Sequence, residues 1–307
     1  MIRLRRIDHV ALGVADCPEA AERWSIQFGL TIRSLDERRA LLACDDERYS
    51  LELVRSETPG HLHTAFELAR DSTLADAGRK LASLGIPFEE DEGALVLADP
   101  DGRGIELVPY RKTDSLVAHA RRSTLVRPGA PRRLGHVNCL TADLAEASSF
   151  YVGALGMKVT DRLGTQGCWF HLGSEHHVMA LIDVGRSHFH HLAFDVVDIG
   201  QMRDLLDRLA RHGRWLGWGP VRHGVGGNIA SYVRIVEEAC FCELYCDMEQ
   251  LDQDHEPRVY PDDRFSSNTW GALPPRSYFR FDQAAIESER QSLETLGVPL
   301  EQVADAA

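Results

Sequence analysis

Apolar and polar side chains alternate from Gly135 to Thr141, and apolar positions then take a helical spacing over Asp143–Leu155, with Asp143 placed as the cap. Strand patterns follow around Val159, Cys168–Leu172 and Val178–Asp183. The same order then recurs. A strand over His190–Val196 leads into a helix over Ile199–His212, where Met202, Leu205, Leu206 and Leu209 share one face. Strand patterns at Ile229–Ile235 and Cys240–Tyr245 close the series. Two successive β-α-β-β-β units are predicted. The first third of the chain carries the same pattern: strand Ile7–Val14, helix Pro18–Phe28, strand His63–Leu68, helix Ser72–Leu84 and strand Ile105–Pro109. The sequence Asp99-Pro100-Asp101-Gly102 is a tight-turn signal before that last strand.

The two copies also match residue by residue. Ile7-Asp8-His9-Val10, His63-Thr64-Ala65-Phe66-Glu67 and Gly104-Ile105-Glu106-Leu107 answer to Leu134-Gly135-His136-Val137, His191-Leu192-Ala193-Phe194-Asp195 and Cys242-Glu243-Leu244. A glycine follows the first histidine by 20 residues in both, at Gly29 and Gly156, and the next histidine follows it by 54 or 55. An internal repeat this regular sets the architecture. It predicts an α+β fold of two tandem domains, each of paired βαβββ units curled into a half-barrel. The boundaries are 1–118, a linker over 119–131, 132–250, and a tail over 251–307. After Cys246, 247–275 reads as a wrapping loop and Asp282–Leu296 as one amphipathic helix.

Two histidines and a glutamate per copy form a facial ligand set for a divalent metal that keeps open positions, suited to Fe(II) or Mn(II). In the second copy these are His136, His191 and Glu243. Composition narrows the partners. A net charge of −13 argues against nucleic acid, and no apolar run is long enough to span a membrane. Residues Met1–Arg6 run into a strand without a signal-peptide core, so a cytoplasmic location is expected. Seven cysteines, an odd number at irregular spacing, fit a reducing compartment. Alternation along a strand turns Cys240, Cys242 and Cys246 away from whatever Glu243 faces, so packing is their expected role.

The two-fold module resembles the vicinal oxygen chelate superfamily. Its second copy is similar to the type I extradiol ring-cleaving dioxygenases, in particular the catechol 2,3-dioxygenase and homoprotocatechuate 2,3-dioxygenase group. His176 stands 15 residues before His191, where that family carries its acid–base histidine. Gly219-Pro220-Val221-Arg222-His223-Gly224 matches a motif whose histidine hydrogen-bonds substrate, and Tyr232 follows His223 by nine residues. Asn138, two after the first ligand, also fits. The resemblance covers about 1–250, with Tyr260-Pro261-Asp262 and Thr269-Trp270 similar to the tail of the group. It implies meta-cleavage of a small aromatic diol with O2 to a muconic semialdehyde-type product, in aromatic catabolism. It also implies His176, His223 and Tyr232 as catalytic groups, a non-catalytic N-terminal domain, and a homotetramer.

Trp218 stands where a homoprotocatechuate enzyme is expected to carry an arginine. With Trp169 it favours neutral one- or two-ring catechols over carboxylated ones. Departures from the family pattern are Ser231 before the tyrosine and the altered turn Val236-Glu237-Glu238-Ala239, whose glutamates are expected at the surface. In the first copy, Arg48 stands where His176 does, so His9, His63 and Glu106 are expected to be vestigial or structural. His61, His177 and His190 are expected to be packing or surface histidines. Rival readings are a glyoxalase-like lyase or isomerase, which needs two carboxylate ligands, and a non-catalytic aromatic-ligand-binding module.

Overall fold

A computed structural model describes residues 2–44, 48–111 and 129–279. Most of the predicted linker and the helix predicted over 282–296 lie outside the described residues. The first unit runs β1 (Leu4–Val14), α1 (Cys17–Phe28), β2 (Thr31–Leu35), β3 (Arg39–Ala43) and β4 (Leu51–Arg55). The second runs β5 (Gly60–Leu68), α2 (Leu74–Ser83), β6 (Glu89–Asp91), β7 (Ala94–Ala98) and β8 (Gly104–Val108). Together they make one eight-stranded sheet in the order β2-β3-β4-β1-β5-β8-β7-β6. Its centre is the antiparallel pair β1–β5, flanked by the parallel partners β4 and β8.

The second half repeats this with β9 (Arg133–Thr141), α3 (Leu144–Gly153), β10 (Lys158–Leu163), β11 (Gly167–His171), β12 (Met179–Asp183), β13 (His188–Asp195), α4 (Ile199–Arg211), β14 (Leu216–His223), β15 (Ile229–Ile235) and β16 (Cys240–Cys246). Two strands from the predicted wrapping loop extend it. β17 (Arg258–Tyr260) lies parallel to β10 and β18 (Asn268–Trp270) antiparallel to β14, giving ten strands in the order β17-β10-β11-β12-β9-β13-β16-β15-β14-β18.

Asp143 caps its helix as the sequence signals, and three further helices have caps of the same kind. Asp16, Thr73, Asp143 and Asp198 each accept from a backbone N–H in the first turn of their helix. Gly29 ends α1 in the left-handed region, at φ 75°, where a side chain would be strained. Each central strand divides its side chains between two faces. On β1, Val10, Leu12 and Val14 join the apolar core with Trp24 and Phe28 of α1, and His9 and Ala11 take the other face. On β16, Cys240, Cys242, Leu244 and Cys246 go to the core, and burial pushes all three thiols up. All seven cysteines are buried and none is in a disulfide, which fits a packing role.

The halves are locked together by buried polar contacts. Tyr151 donates to Asp99 at 2.8 Å, Thr141 to Asp101 at 2.6 Å, and Arg103 to the Leu140 carbonyl at 2.6 Å. The predicted turn at Asp99–Gly102 therefore doubles as the clamp on the second half. Glu237 and Glu238 are not at the surface as expected. Glu238 is buried and bonds Arg23 of α1 at 2.6 Å, and Glu237 bonds Arg214 at 2.7 Å, which in turn reaches Gln27 at 2.8 Å. Partners some 200 residues away in sequence set their place.

Candidate active site and metal centre

β9, β13 and β16 lie side by side at the centre of the second sheet. Their register sets His136 opposite Ala193, and Ala193 opposite Glu243; His191 stands two residues before Ala193 on the same face. The three side chains therefore converge on the face away from the apolar core. His136 Nε2 and His191 Nε2 each lie 3.0 Å from Glu243 Oε2. The second oxygen, Oε1, accepts from Asn228 Nδ2 at 3.1 Å. Burial alone would raise the Glu243 carboxyl, but the two imidazoles beside it hold it well below the usual carboxylate range.

The hydrogen-bond chain behind His191 tests whether a metal belongs there. His190 Nε2 lies 2.9 Å from the Tyr278 carbonyl, which can only accept, so that nitrogen carries the proton. Burial keeps His190 neutral, so its Nδ1 accepts from His191 Nδ1 at 2.8 Å. His191 then presents a bare Nε2 lone pair to a carboxylate oxygen. Two acceptors 3.0 Å apart need a cation between them, and two imidazoles with one carboxylate are a suitable donor set. The residues present fit a divalent metal.

A cavity of about 390 Å³ opens over this trio. Asn138, Trp169, Trp218, His223 and Tyr232 all line it, as do the three candidate ligands. His223 donates from Nδ1 to the Ser267 carbonyl at 3.0 Å, which leaves Nε2 to accept from the Tyr232 hydroxyl at 2.7 Å. Burial lowers the His223 pKa and raises the Tyr232 phenol well above its ordinary value, so one is neutral and the other protonated. Trp218 stacks on Tyr232 with centroids 5.1 Å apart, and its indole N–H is fixed on the Ala272 carbonyl at 2.8 Å.

His176 is the exception. It does not line the cavity. Its Nε2 bonds Asp161 Oδ2 at 2.8 Å, and Asp161 is gripped in turn by Arg258. The neighbour His177 faces the cavity instead, its ring centroid 4.4 Å from that of His136. The reversal follows from the backbone. The stretch before β12 is irregular and tied to the tail by the Glu175–Gln250 bridge, so strand alternation does not run through it. The two histidines are linked, Nδ1 to Nδ1, at 3.0 Å.

The glyoxalase/bleomycin resistance protein/dioxygenase superfamily matches the chain over residues 133–234. Metapyrocatechase 2 of Cupriavidus necator is 29% identical over 91% of this chain and 92% of that protein. Among solved structures, homoprotocatechuate 2,3-dioxygenase from Arthrobacter globiformis superimposes with a TM-score of 0.79, at 21% identity, covering 91% of each chain. The Mn(II)-bound glyoxalase from Novosphingobium aromaticivorans superimposes with a TM-score of 0.77, at 22% identity, covering 90% of this chain and 94% of that one. The chain is thus similar, over most of its length, to an extradiol dioxygenase relative, and over 133–234 to the glyoxalase/bleomycin resistance protein/dioxygenase superfamily.

Several residues of the cavity had no sequence signal. Asn228 sits in the loop between β14 and β15, where its amide meets Glu243 across the ladder. Tyr278 and Phe279, from a single 3₁₀ turn at Arg276–Phe279, close one wall. His190, expected as packing, is buried but orients His191. His177, expected on the far side, is at the cavity. No helix among the described residues is long and apolar enough to cross a membrane.

Proposed function

We propose that this protein is an extradiol dioxygenase, opening the ring of a catechol-type diol beside its hydroxyls and adding both atoms of O2. His136, His191 and Glu243 would hold Fe(II), with Mn(II) as the alternative. When bound there, the metal supplies a Lewis-acidic, redox-active centre with three open positions, enough for a bidentate diol and O2. The observation that carries the reading is a three-ligand centre whose open side faces a largely aromatic cavity containing three proton-handling groups, His177, His223 and Tyr232.

The roles of these groups follow from their hydrogen bonds. Burial and the His176 and Arg258 hydrogen bonds pull the Asp161 carboxyl in opposite directions, and the bonds prevail, leaving it at about 2. Asp161 therefore accepts from His176 Nε2. With its Nε2–H on Asp161, His176 is assigned to accept through Nδ1 from His177 Nδ1–H. His177, which burial keeps neutral and which lines the cavity, would then have its Nε2 bare. That atom would take a hydroxyl proton from the diol and return it to an oxygen during cleavage. His176 acts on this step by fixing the tautomer of His177, not by touching substrate. His223 Nε2 accepts from a substrate hydroxyl or from Tyr232, and the protonated Tyr232 donates to developing negative charge.

Trp218, Trp169 and Tyr278 surround the ring-binding space, and none of the three carries a charge to meet a carboxylate. A neutral catechol of one or two rings suits this lining. The test is oxygen uptake by anaerobically Fe(II)-reconstituted protein given catechol, 3-methylcatechol and 2,3-dihydroxybiphenyl. Stoichiometric uptake with a yellow product is expected for at least one. No uptake with any of them, from protein that holds iron, would overturn the proposal.

A further inference from the structure

The first sheet repeats the site with one more ligand. His9 on β1 and Glu52 on β4 are 43 residues apart, and so are His63 on β5 and Glu106 on β8. The register repeats too. Ala11, two beyond His9, pairs with Glu52, and Ala65, two beyond His63, pairs with Glu106. The antiparallel β1–β5 ladder sets His9 opposite Ala65 and His63 opposite Ala11. The four side chains are thus related by a pseudo-two-fold axis between β1 and β5.

They also meet. His9 Nε2 lies 3.2 Å from Glu52 Oε2, 3.4 Å from Glu106 Oε2 and 3.2 Å from His63 Nε2. His63 Nε2 lies 3.4 Å from Glu106 Oε2 and 4.0 Å from Glu52 Oε2. Each histidine faces both carboxylates. Two further groups hold the quartet in place. His9 Nδ1 donates to Asp8 at 2.9 Å, with Asp8 paired to Arg111 at 2.8 Å, and Arg39 bonds the outer oxygen of Glu52 at 2.5 Å. This turns His9 Nε2 and a Glu52 oxygen to the centre, as outer partners do for metal-bound histidine and carboxylate.

We propose that His9, Glu52, His63 and Glu106 hold a second divalent transition-metal ion in the first sheet, bound by two imidazoles and two carboxylates. Imidazole donors select Mn, Fe, Co, Ni or Zn over Mg and Ca, which prefer all-oxygen sites. The place of Glu52 is taken in the second sheet by Ala180, which pairs with Asn138 as Glu52 pairs with Ala11. The two centres therefore differ by one protein ligand. Four protein donors would leave a six-coordinate ion two positions, too few for a bidentate diol and O2 together. The first centre is not a second ring-cleaving site. Its open side faces out past His63 and Glu106, whose side chains are 25% and 19% exposed, whereas His9 and Glu52 are buried. The group beside it differs as well. Tyr49 stands by His9 with ring centroids 4.7 Å apart and planes at 51°, much as His177 stands by His136 at 4.4 Å and 55°.

None of these residues belongs to the ring-cleaving cavity, so this proposal and that of the preceding section fail separately. The experiment is equilibrium dialysis of metal-free full-length protein against Co(II), with metal per chain measured by mass spectrometry. Wild type is expected to hold two equivalents. His63→Ala, Glu106→Gln and His191→Ala should each hold one, and the His63→Ala/His191→Ala double variant none. Should His63→Ala fold poorly, Glu106→Gln, which keeps the side-chain volume, has to show the same loss. A single equivalent in wild type that vanishes in His191→Ala and persists in Glu106→Gln would overturn the proposal.

Discussion

Replacing His177 by Phe separates the residue that faces the cavity from the one the sequence spacing singles out. The ring is almost wholly buried and Phe is close to it in shape, so the perturbation is chemical more than steric. His177 is not among the candidate ligands, which lie 3.0 Å from Glu243, so the metal should stay. What goes is the base. A positioned imidazole contributes about 10²–10⁴-fold to a proton transfer, or about 3–5 kcal/mol of barrier. The variant also leaves His176 Nδ1 without the donor now 3.0 Å away, a cost of about 1–3 kcal/mol that a stable domain tolerates. Oxygen-electrode assays at saturating catechol should show kcat falling by about 10²–10⁴-fold with metal content unchanged. His176→Phe should lose less, about tenfold, because it removes only the group that orients His177. Turnover by His177→Phe at the wild-type rate would refute the reasoning, and loss of metal would show that His177 is itself a ligand.

Further outcomes follow from the same structure. Glu243→Ala should abolish metal retention at the second centre, since it removes the carboxylate both imidazoles face, as metal analysis after dialysis would show. Asp161 is held at about 2, below its unfolded value of 3.8, so its ionisation stabilises the fold above that value and the stabilisation is lost as pH falls toward 2. Melting curves of wild type and Asp161→Asn should differ at neutral pH and converge in acid; a gap independent of pH would refute this. Arg23→Met should cost about 3 kcal/mol in urea unfolding, at the low end for a broken buried pair, because burial already pushes the Glu238 carboxyl up and it can protonate once Arg23 is gone. Trp218→Ala removes an aromatic wall of the cavity; a ring-on-ring contact with substrate there is worth about 0.5–1.5 kcal/mol, so KM for a one-ring catechol should rise up to about tenfold.

The internal repeat made most of the architecture legible, because a βαβββ unit needs hydrophobic periods of 2.0 and 3.6 in a set order and both halves keep them. The three candidate ligands were legible for the same reason: each lies on a regular strand, where the face of a side chain follows from counting. His176 failed where counting fails. Residues just before β12 are not in a strand, and the tail dictates which of two adjacent imidazoles turns inward. β14 escaped because Gly217, Gly219 and Pro220 read as breakers, yet the strand forms with register shifts around them. β17 and β18 have three residues each and no period to detect. The burial of Glu237 and Glu238 depended on Arg214 and on Arg23, the latter in the opposite half. Glu52 carried no signal by itself. Its 43-residue spacing from His9 gains meaning once β4 is seen beside β1.

The central claim is that the second centre breaks an aromatic ring with O2 rather than rearranging a substrate. The most direct measurement is mass spectrometry of the product formed from catechol by Fe(II)-reconstituted protein under ¹⁸O2. The account predicts a ring-opened semialdehyde that has gained both labelled oxygen atoms, apart from any exchange of the aldehyde oxygen with water. A product isomeric with its substrate and free of label would contradict it.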